Sequence, residues 1–189
     1  MTKYILHGGL SDEDNSKNIK FFSEILNGVS SSATILMVYF ARSQEKRQDL
    51  FNTHKKLFQK SNPNHKISFL YASDDPDEFR KQVKQSKIMF VEGGSSLRLL
   101  EHLKQFPDIK ELIQSMDIYV GSSAGASIIS KYAFPSTGDE VKERLGILPI
   151  KIINHYDESR KDQLEKLKAL HPELKTYALS ECEYIVIQQ

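Results

Sequence analysis

The sequence has little cysteine: Cys182 is the single one among 189 residues. A lone thiol excludes a disulfide within the chain and a metal site built from several cysteines. We interpret Cys182 as a small buried residue near the end of a strand. The acidic residues 74–78 surround Pro76, a pattern that favours capping of a helix start over metal binding, so we predict no metal ion.

An excess of charge of either sign is also lacking, because 26 Lys and Arg stand against 25 Asp and Glu, a formal net charge of +1. Without a basic run there is no electrostatic footprint for nucleic acid. No apolar stretch approaches the roughly 18 residues of a membrane-spanning helix, and the first strand is too short for a signal peptide core. We therefore expect a cytoplasmic monomer or homodimer whose partner is a small peptide or other small molecule, with no nucleic acid and no membrane.

The composition that is present, 39% hydrophobic and 27% charged, favours one domain over residues 1–189. Apolar runs alternate with amphipathic stretches of helical period, among them 43–60 and 124–132. Strands are predicted at 3–7, 33–40, 66–72, 87–92, 117–120, 149–154, 176–179 and 183–187. This alternation predicts an α/β fold, a three-layer α/β/α arrangement with a mostly parallel sheet that binds ligands at the carboxyl ends of its strands.

One strand end carries a candidate nucleophile. Residues 117–126 read DIYVGSSAGA and place Ser123 in a Gly-x-Ser-x-Gly setting between a strand and a helix. The turn is tight, so Gly121 and Gly125 must be nearly free of side chains. The helix that begins at Ala124 points its free N–H groups and positive dipole end at the serine. The alternative is a turn with a serine cap that binds a phosphate.

A second strand end reads EGGSS over residues 92–96. Gly93 and Gly94 can turn their backbone N–H groups toward a bound oxygen, and together with the N–H of Ala124 they form an oxyanion hole in this interpretation. A helix entry capped by serine is the alternative. The pair of glycines that follows His7 at a third strand end is interpreted as a turn.

A serine nucleophile at neutral pH needs a base, and the base needs a carboxylate that orients it. His155 is the best-placed histidine because it ends a predicted strand at the carboxyl end. Asp139 is the predicted carboxylate, since it lies between the helix of the nucleophile and the strand that carries His155. Glu140, Asp157 and Glu181 are alternatives, and Glu181 also follows a strand from which it could reach the imidazole.

Three segments in the same order resemble a known family: FVEGGSSL (90–97), YVGSSAGA (119–126) and INHY (153–156). They resemble peptidase family S51, which includes dipeptidase E and cyanophycinase. The resemblance implies a flavodoxin-like fold similar to class I glutamine amidotransferases. It also implies a serine peptidase that cleaves peptide bonds next to aspartate without a cofactor.

The resemblance implies the roles of the site residues as well. Asp139 matches the orienting carboxylate of the family, and Glu181 matches a second acid proposed there. Arg160 matches an arginine that pairs with the aspartate of the substrate, and a guanidinium suits this role because it grips a carboxylate with two parallel hydrogen bonds. An exposed arginine in the first turn of a helix is the alternative. Gly93 and Ser95 are predicted to contact the substrate, with Ser95 where asparagine is common in the family.

For the chemical step, the resemblance implies the same catalytic roles that the residue types and their spacing suggest. Ser123 attacks the peptide carbonyl, His155 takes its proton, and the N–H groups of Gly94 and Ala124 hold the oxyanion. Two other function classes stay open. An α/β-hydrolase-type esterase has a similar nucleophile turn, but only about one β-α unit separates the serine from the histidine here, and that fold needs more strands between them. A non-catalytic module of the same fold that binds a small ligand is the other.

Overall fold

The computed structural model describes residues 1–136 and 138–189. The strands are β1 (Lys3–His7), β2 (Ser32–Val38), β3 (Lys66–Tyr71), β4 (Ile88–Val91), β5 (Ile118–Ser122), β6 (Tyr132–Phe134), β7 (Lys142–Glu143), β8 (Ile150–Asn154), β9 (Lys175–Leu179) and β10 (Tyr184–Gln188). The helices are α1 (Ser16–Ile25), α2 (Gln44–Ser61), α3 (Pro76–Gln85), α4 (Ser96–Leu103), α5 (Ile109–Gln114), α6 (Ala124–Ile129) and α7 (Lys161–Ala169), and a 3-10 helix (Glu158–Arg160) precedes α7.

Across the described residues the strands form two sheets. The larger sheet has the order β10-β1-β5-β4-β2-β3, and the smaller has the order β7-β6-β8-β9. Neighbouring strands are parallel except for β1 with β10 and β6 with β7. These mostly parallel sheets with flanking helices confirm the predicted α/β fold class. The division into two sheets was not expected.

The larger sheet is covered by helices on both faces, which gives the expected layers. Successive side chains of β2 alternate between the two faces: Ile35 and Met37 pack with α1 and α2, whereas Leu36 and Val38 pack with α3 to α6. Since both faces are buried, the strands are almost continuously apolar. None of the described helices has the length and apolar character needed to cross a membrane.

Each of the eight predicted strands is present, with ends that agree to within two residues, but β6 and β7 were missed. The prediction also extended α6 to residue 132, whereas this helix ends at Ile129. The Ser130 hydroxyl donates to the Ser127 carbonyl at 2.8 Å and closes the helix, and Tyr132 then pairs with Lys151 of β8. A three-residue strand directly after an apolar helix has too little alternation to be recognised.

Two smaller interpretations are confirmed. The Asp75 side chain accepts from the Glu78 N–H at 2.9 Å, and Pro76 is the first residue of α3, so acids here cap a helix. Cys182 is buried, in the turn between β9 and β10.

The strand order determines where the candidate site lies. Because β1, β5 and β4 are neighbours, their carboxyl ends are adjacent, and His7 is paired with Ser122 while Val91 is paired with Gly121. The three segments that sequence analysis singled out follow these strand ends. They therefore meet at one edge of the sheet.

Candidate active site

Ser123 occupies the turn between β5 and α6 with φ 47° and ψ −103°. Positive φ at a residue with a Cβ costs roughly 1–3 kcal/mol, so the surrounding structure must hold it. The Ser123 N–H donates to the His7 carbonyl at 2.8 Å, and the Ser123 carbonyl accepts from the Ser127 N–H at 2.9 Å and from Asn154 Nδ2 at 2.8 Å. This backbone geometry places the half-buried hydroxyl at the sheet edge.

The glycines around Ser123 have a steric cause. A Cβ on Gly121 would lie 2.4 Å from the Gly125 carbonyl oxygen, and a Cβ on Gly125 would lie 2.2 Å from the Val91 oxygen. Non-bonded atoms do not approach each other so closely, and in both cases the nearest atom is a main-chain oxygen, which cannot move away as the end of a side chain could. Only glycine allows α6 to lie this close to β4 and β5.

His155 is the side chain in contact with the serine hydroxyl. Its Nε2 lies 2.7 Å from Ser123 Oγ, and its Nδ1 lies 3.3 Å from Glu181 Oε1. The tautomer that satisfies both contacts has the proton on Nδ1, which donates to Glu181, and leaves Nε2 free to accept from Ser123. The hydroxyl, the imidazole and the carboxylate thus follow one another in the order that a nucleophile, its base and an orienting acid would require.

The imidazole is held by the turn after β1. The His155 N–H donates to the Gly8 carbonyl at 3.0 Å, with φ of 52° at His155. A Cβ on Gly9 would lie 2.1 Å from His155 Cε1, so the ring fills the space that this glycine leaves. The segment after His7 is a turn, as predicted, but it also supports the base, which its sequence did not reveal.

Of the four acids considered for orienting the imidazole, Glu181 is the one that the structure brings to His155. Asp139 is exposed, and within the described ranges it makes no hydrogen bond or ion pair with the imidazole. Glu140 pairs with Lys142 at 2.6 Å, and Asp157 accepts from the Ser159 N–H at 2.8 Å. Glu181 is itself 52% exposed, so solvent screens much of its charge.

Gly94 and Ala124 have backbone N–H groups that no acceptor in the described part of the chain occupies. Ala124 opens α6, so its N–H is one of the free groups of a helix start. Gly94 has φ of 135°, and a Cβ there would lie 2.6 Å from the Ala41 oxygen. Gly93 lies beside the serine, since a Cβ on it would be 3.0 Å from Ser123 Cβ. This placement suits N–H groups that receive an oxyanion.

Two depressions flank the serine and histidine. A small cavity of about 20 Å³ has room for one water-sized group, and it is lined by Gly94, Ser96, Ser123, Ala124, Ser127, Phe134, Pro135, Ser136, Asn154 and His155. A groove of about 560 Å³ is lined by His155, Tyr156, Asp157, Glu158, Ser180 and Glu181. Another depression, of about 570 Å³, lies along α1 and shares no residue with them. Ser95, predicted to contact the substrate, accepts from the Arg98 N–H at 3.2 Å and caps α4.

Arg160 is engaged by the protein itself. Its guanidinium donates to the carbonyls of Asn154 and, at 2.8 Å, Pro135, and its Nε donates to Gln163 Oε1 at 2.7 Å. A further contact of 3.5 Å reaches the His155 carbonyl. Arg160 thus ties the loop after β6 to the loop that carries His155, and a substrate carboxylate would have to compete with these acceptors.

Sequence analysis missed a buried polar cluster beneath the Gly93–Gly94 turn. Glu92 is 2% exposed, and it accepts from Ser11 Oγ at 2.8 Å and from Arg42 Nη2 at 3.1 Å, with His54 Nε2 at 3.3 Å. Burial tends to raise the pKa of Glu92, but His54, Arg42 and the hydrogen bonds hold it below its ordinary value. The loops after β1, β2 and β4 are thereby fastened together.

His7 forms a second buried contact that the sequence did not reveal. Its Nε2 lies 3.0 Å from Asn18 Oδ1, and its Nδ1 accepts from the Gly9 N–H at 3.2 Å. Burial lowers the pKa of His7 to about 4, so the ring is neutral near pH 7 and can accept this bond. His7 therefore fixes the turn against which the base packs. A histidine before two glycines at a strand end was the available signal.

The amino-acid sequence matches peptidase family S51 over residues 5–189. The chain belongs to peptidase family S51. The family assignment makes the chain a serine-type peptidase, and it removes the α/β-hydrolase alternative. A comparison with curated proteins gives no match.

Solved structures similar to this S51 chain agree on the fold. One, described provisionally as a peptidase E protein from Listeria monocytogenes EGD-e, has a TM-score of 0.69 and 21% identity, and the match covers 99% of this chain and 94% of that one. Another, a peptidase from an acI-B1 Actinobacterium, has a TM-score of 0.67 and 19% identity, and the match covers 100% and 84%. These similarities confirm the flavodoxin-like architecture expected from the resemblance to class I glutamine amidotransferases.

Proposed function

We propose that this chain hydrolyses short peptides through an acyl-enzyme on Ser123 and prefers bonds next to aspartate. The contact of 2.7 Å between Ser123 Oγ and His155 Nε2, made at a strained strand-to-helix turn, carries the proposal. A serine that only capped a helix would direct its hydroxyl to a backbone N–H, whereas the Ser123 side chain makes no capping hydrogen bond in the described residues.

The reaction follows from the contacts of these groups. Ser123 Oγ attacks the peptide carbonyl while its proton passes to His155 Nε2, and the oxygen of the tetrahedral intermediate is held by the N–H groups of Gly94 and Ala124. The proton on Nε2 then goes to the leaving amine as the C–N bond breaks. Water, deprotonated by the same nitrogen, attacks the ester and releases the acid. Glu181 accepts from Nδ1–H and stabilises the imidazolium.

The aspartate preference is proposed from the family resemblance and from the small cavity beside Ser123. Besides Ser123, three serines line this cavity, Ser96, Ser127 and Ser136, and their hydroxyls offer hydrogen bonds to a polar group of about the size of one water molecule, such as a single carboxylate oxygen. Arg160 is proposed by the resemblance as the residue that pairs with the aspartate. That pairing requires it to release a carbonyl that it binds in this structure.

The proposal is tested by incubating the protein with Asp-X and X-Asp dipeptides beside non-acidic controls. Ser123→Ala is expected to lower kcat by about 10³-fold or more, because no nucleophile remains. Ser122→Ala is the matched control: the Ser122 hydroxyl is buried without a hydrogen-bond partner in the described structure, and its removal should leave turnover nearly unchanged. If no substrate is cleaved and a fluorophosphonate does not label Ser123, the non-catalytic binding module becomes the better account.

A further inference from the structure

Asn154, the last residue of β8, connects the strand that precedes His155 with the turn that carries Ser123. Asn154 is 4% exposed, and its Nδ2 donates to the Ser123 carbonyl and to Ser127 Oγ, both at 2.8 Å. The opposite orientation of the carboxamide would direct Oδ1 at the Ser123 carbonyl oxygen, which has no proton to donate, so the NH₂ group must lie on this side. The residue directly before His155 therefore holds the backbone of Ser123.

This hydrogen bond acts on the peptide unit that supplies a proposed oxyanion donor. The Ser123 C=O and the Ala124 N–H belong to one planar peptide bond, so they point in opposite directions from it. A contact that fixes the direction of the carbonyl therefore also fixes the direction of the N–H. No acceptor in the described part of the chain occupies the Ala124 N–H, which leaves it available to an oxygen of the substrate.

The Ser123–Ala124 peptide needs a support from outside its own helix. Ser123 has φ 47° and ψ −103°, a combination that a residue with a Cβ rarely adopts, and rotation of the peptide plane would relieve it. The Ser123 carbonyl also accepts from the Ser127 N–H at 2.9 Å, but that bond lies within α6 and moves with the helix. Asn154 donates from β8, where it is paired with β9 and its carbonyl accepts from Arg160.

The other side of the carboxamide shows that packing alone does not explain an asparagine here. Asn154 Oδ1 is buried and has no hydrogen-bond partner in the described structure. A buried amide oxygen without a partner is unfavourable, and a leucine of about the same size would avoid that cost. What an apolar side chain could not supply is the pair of N–H groups that bind Ser123 and Ser127.

We propose that Asn154 is a positioning residue of the oxyanion hole, which holds the Ser123–Ala124 peptide so that the Ala124 N–H faces the substrate oxygen. Donation to the carbonyl also polarises the peptide bond and makes its N–H a stronger donor. Because Asn154 precedes His155 in the chain, one residue links the oxyanion donor to the base. This inference rests on the proposed peptidase function and adds to it a residue that acts through its neighbour.

The test compares kcat and KM of Asn154→Leu with those of the intact protein on the dipeptide that the intact protein cleaves best. Leucine keeps the volume and removes the donor, while the Ser123 carbonyl keeps the Ser127 N–H. We expect kcat to fall by about 10-fold to 10²-fold with KM nearly unchanged, because the oxyanion forms only after binding and one of its donors is misplaced, not removed. Asn154→Ala is the second variant if Asn154→Leu does not fold.

Asn62 provides the matched control. It is 7% exposed at the end of α2, and its Nδ2 donates to the carbonyls of Phe22 and Phe58 at 3.0 and 3.1 Å. Asn62→Leu thus removes two donations of a buried amide at the depression along α1, away from Ser123. Denaturant unfolding should show a loss of stability in both leucine variants, whereas kcat should fall in Asn154→Leu alone. A comparable loss of kcat in Asn62→Leu would overturn the inference, because lost stability would then account for both.

Nuclear magnetic resonance separates this inference from the proposed function. A fluorophosphonate that labels Ser123 places a phosphonyl oxygen in the oxyanion hole, so the amide proton of Ala124 should move downfield in the intact protein and less far in Asn154→Leu. An equal shift in both proteins, or an unchanged kcat, overturns the role of Asn154 and leaves the peptidase intact. If the intact protein neither cleaves peptides nor is labelled, the proposed function is wrong and this inference is overturned with it.

Discussion

Glu181, the acid proposed to orient His155, lies at the surface of the protein. Glu181 reaches His155 from the turn after β9, with half of its side chain in solvent and a contact of 3.3 Å. An exposed carboxylate adds little electrostatic energy. We therefore propose that Glu181 contributes by selecting the tautomer and orientation in which His155 Nε2 faces Ser123.

Replacing Glu181 should consequently slow the chemical step. We expect Glu181→Gln to lower kcat by about 10²-fold with little change in KM, less than the roughly 10⁴-fold effect of a buried acid in a Ser-His-Asp triad. Asp139→Asn is the matched control, and we expect it to keep kcat within about 2-fold, as is usual for a surface residue outside the machinery. Steady-state kinetics on the preferred dipeptide gives both numbers. A larger loss in Asp139→Asn would assign the acid to that loop instead.

Local sequence identifies the serine and the histidine, but it does not identify the acid. Ser123 is marked by neighbours within two residues, since the turn needs Gly121 and Gly125. His155 is marked by its position at the end of an apolar strand. Glu181 was one of four candidate acids, and choosing it over Asp139 requires the pairing of β9 with β8, of which the local sequence carries no sign.

At the scale of elements, the site depends on how closely α6 approaches β4. Gly125→Ala puts a methyl group 2.2 Å from the Val91 oxygen, so the helix must move away. We expect a loss of at least about 2 kcal/mol in the free energy of unfolding, together with a large loss of kcat as the turn at Ser123 relaxes. Denaturant unfolding and steady-state kinetics measure the two effects.

Gly28→Ala serves as the control for that prediction. Gly28 has φ of 82°, but nothing lies within 4 Å of an added Cβ. The free energy of unfolding of this variant should fall only by the cost of a left-handed backbone at a residue with a Cβ, roughly 1–2 kcal/mol, and kcat should be retained. A loss of kcat in Gly28→Ala as large as that in Gly125→Ala would contradict the prediction, because it would show that the close approach of α6 to β4 is not the cause of the loss.

The elements themselves were predictable where they are long and buried. Along the sequence, the apolar runs that form the larger sheet alternate with amphipathic helices, and each of these runs is a strand in the structure. The pairing of strands was less accessible: β6 and β7 are three and two residues long, and they pair with β8 and with each other in place of joining the larger sheet. Short strands gain their stability from tertiary contacts, which their own sequence does not show.

At the scale of the whole molecule, the two sheets share one apolar cluster. Met89 and Tyr119 of the larger sheet and Ile150 and Ile152 of β8 belong to the same group of buried side chains. The candidate active site also joins the sheets, since Ser123 follows β5 and His155 follows β8. A single domain over residues 1–189 stays a prediction, and shared packing of this kind is what it requires, because part of the core of each sheet is supplied by the other.

That prediction is testable by amide hydrogen exchange. If the sheets unfold together, amides of β5 and β8 should report the same free energy of opening and the same dependence on denaturant, close to the values for global unfolding. Amides of β7 should exchange much faster, because both of its residues are exposed. Exchange of β8 and β9 at lower denaturant than β5 would show that the smaller sheet opens alone. In that case the serine and its base would separate before the protein unfolds, and activity would be lost at the lower denaturant concentration while the larger sheet remained folded.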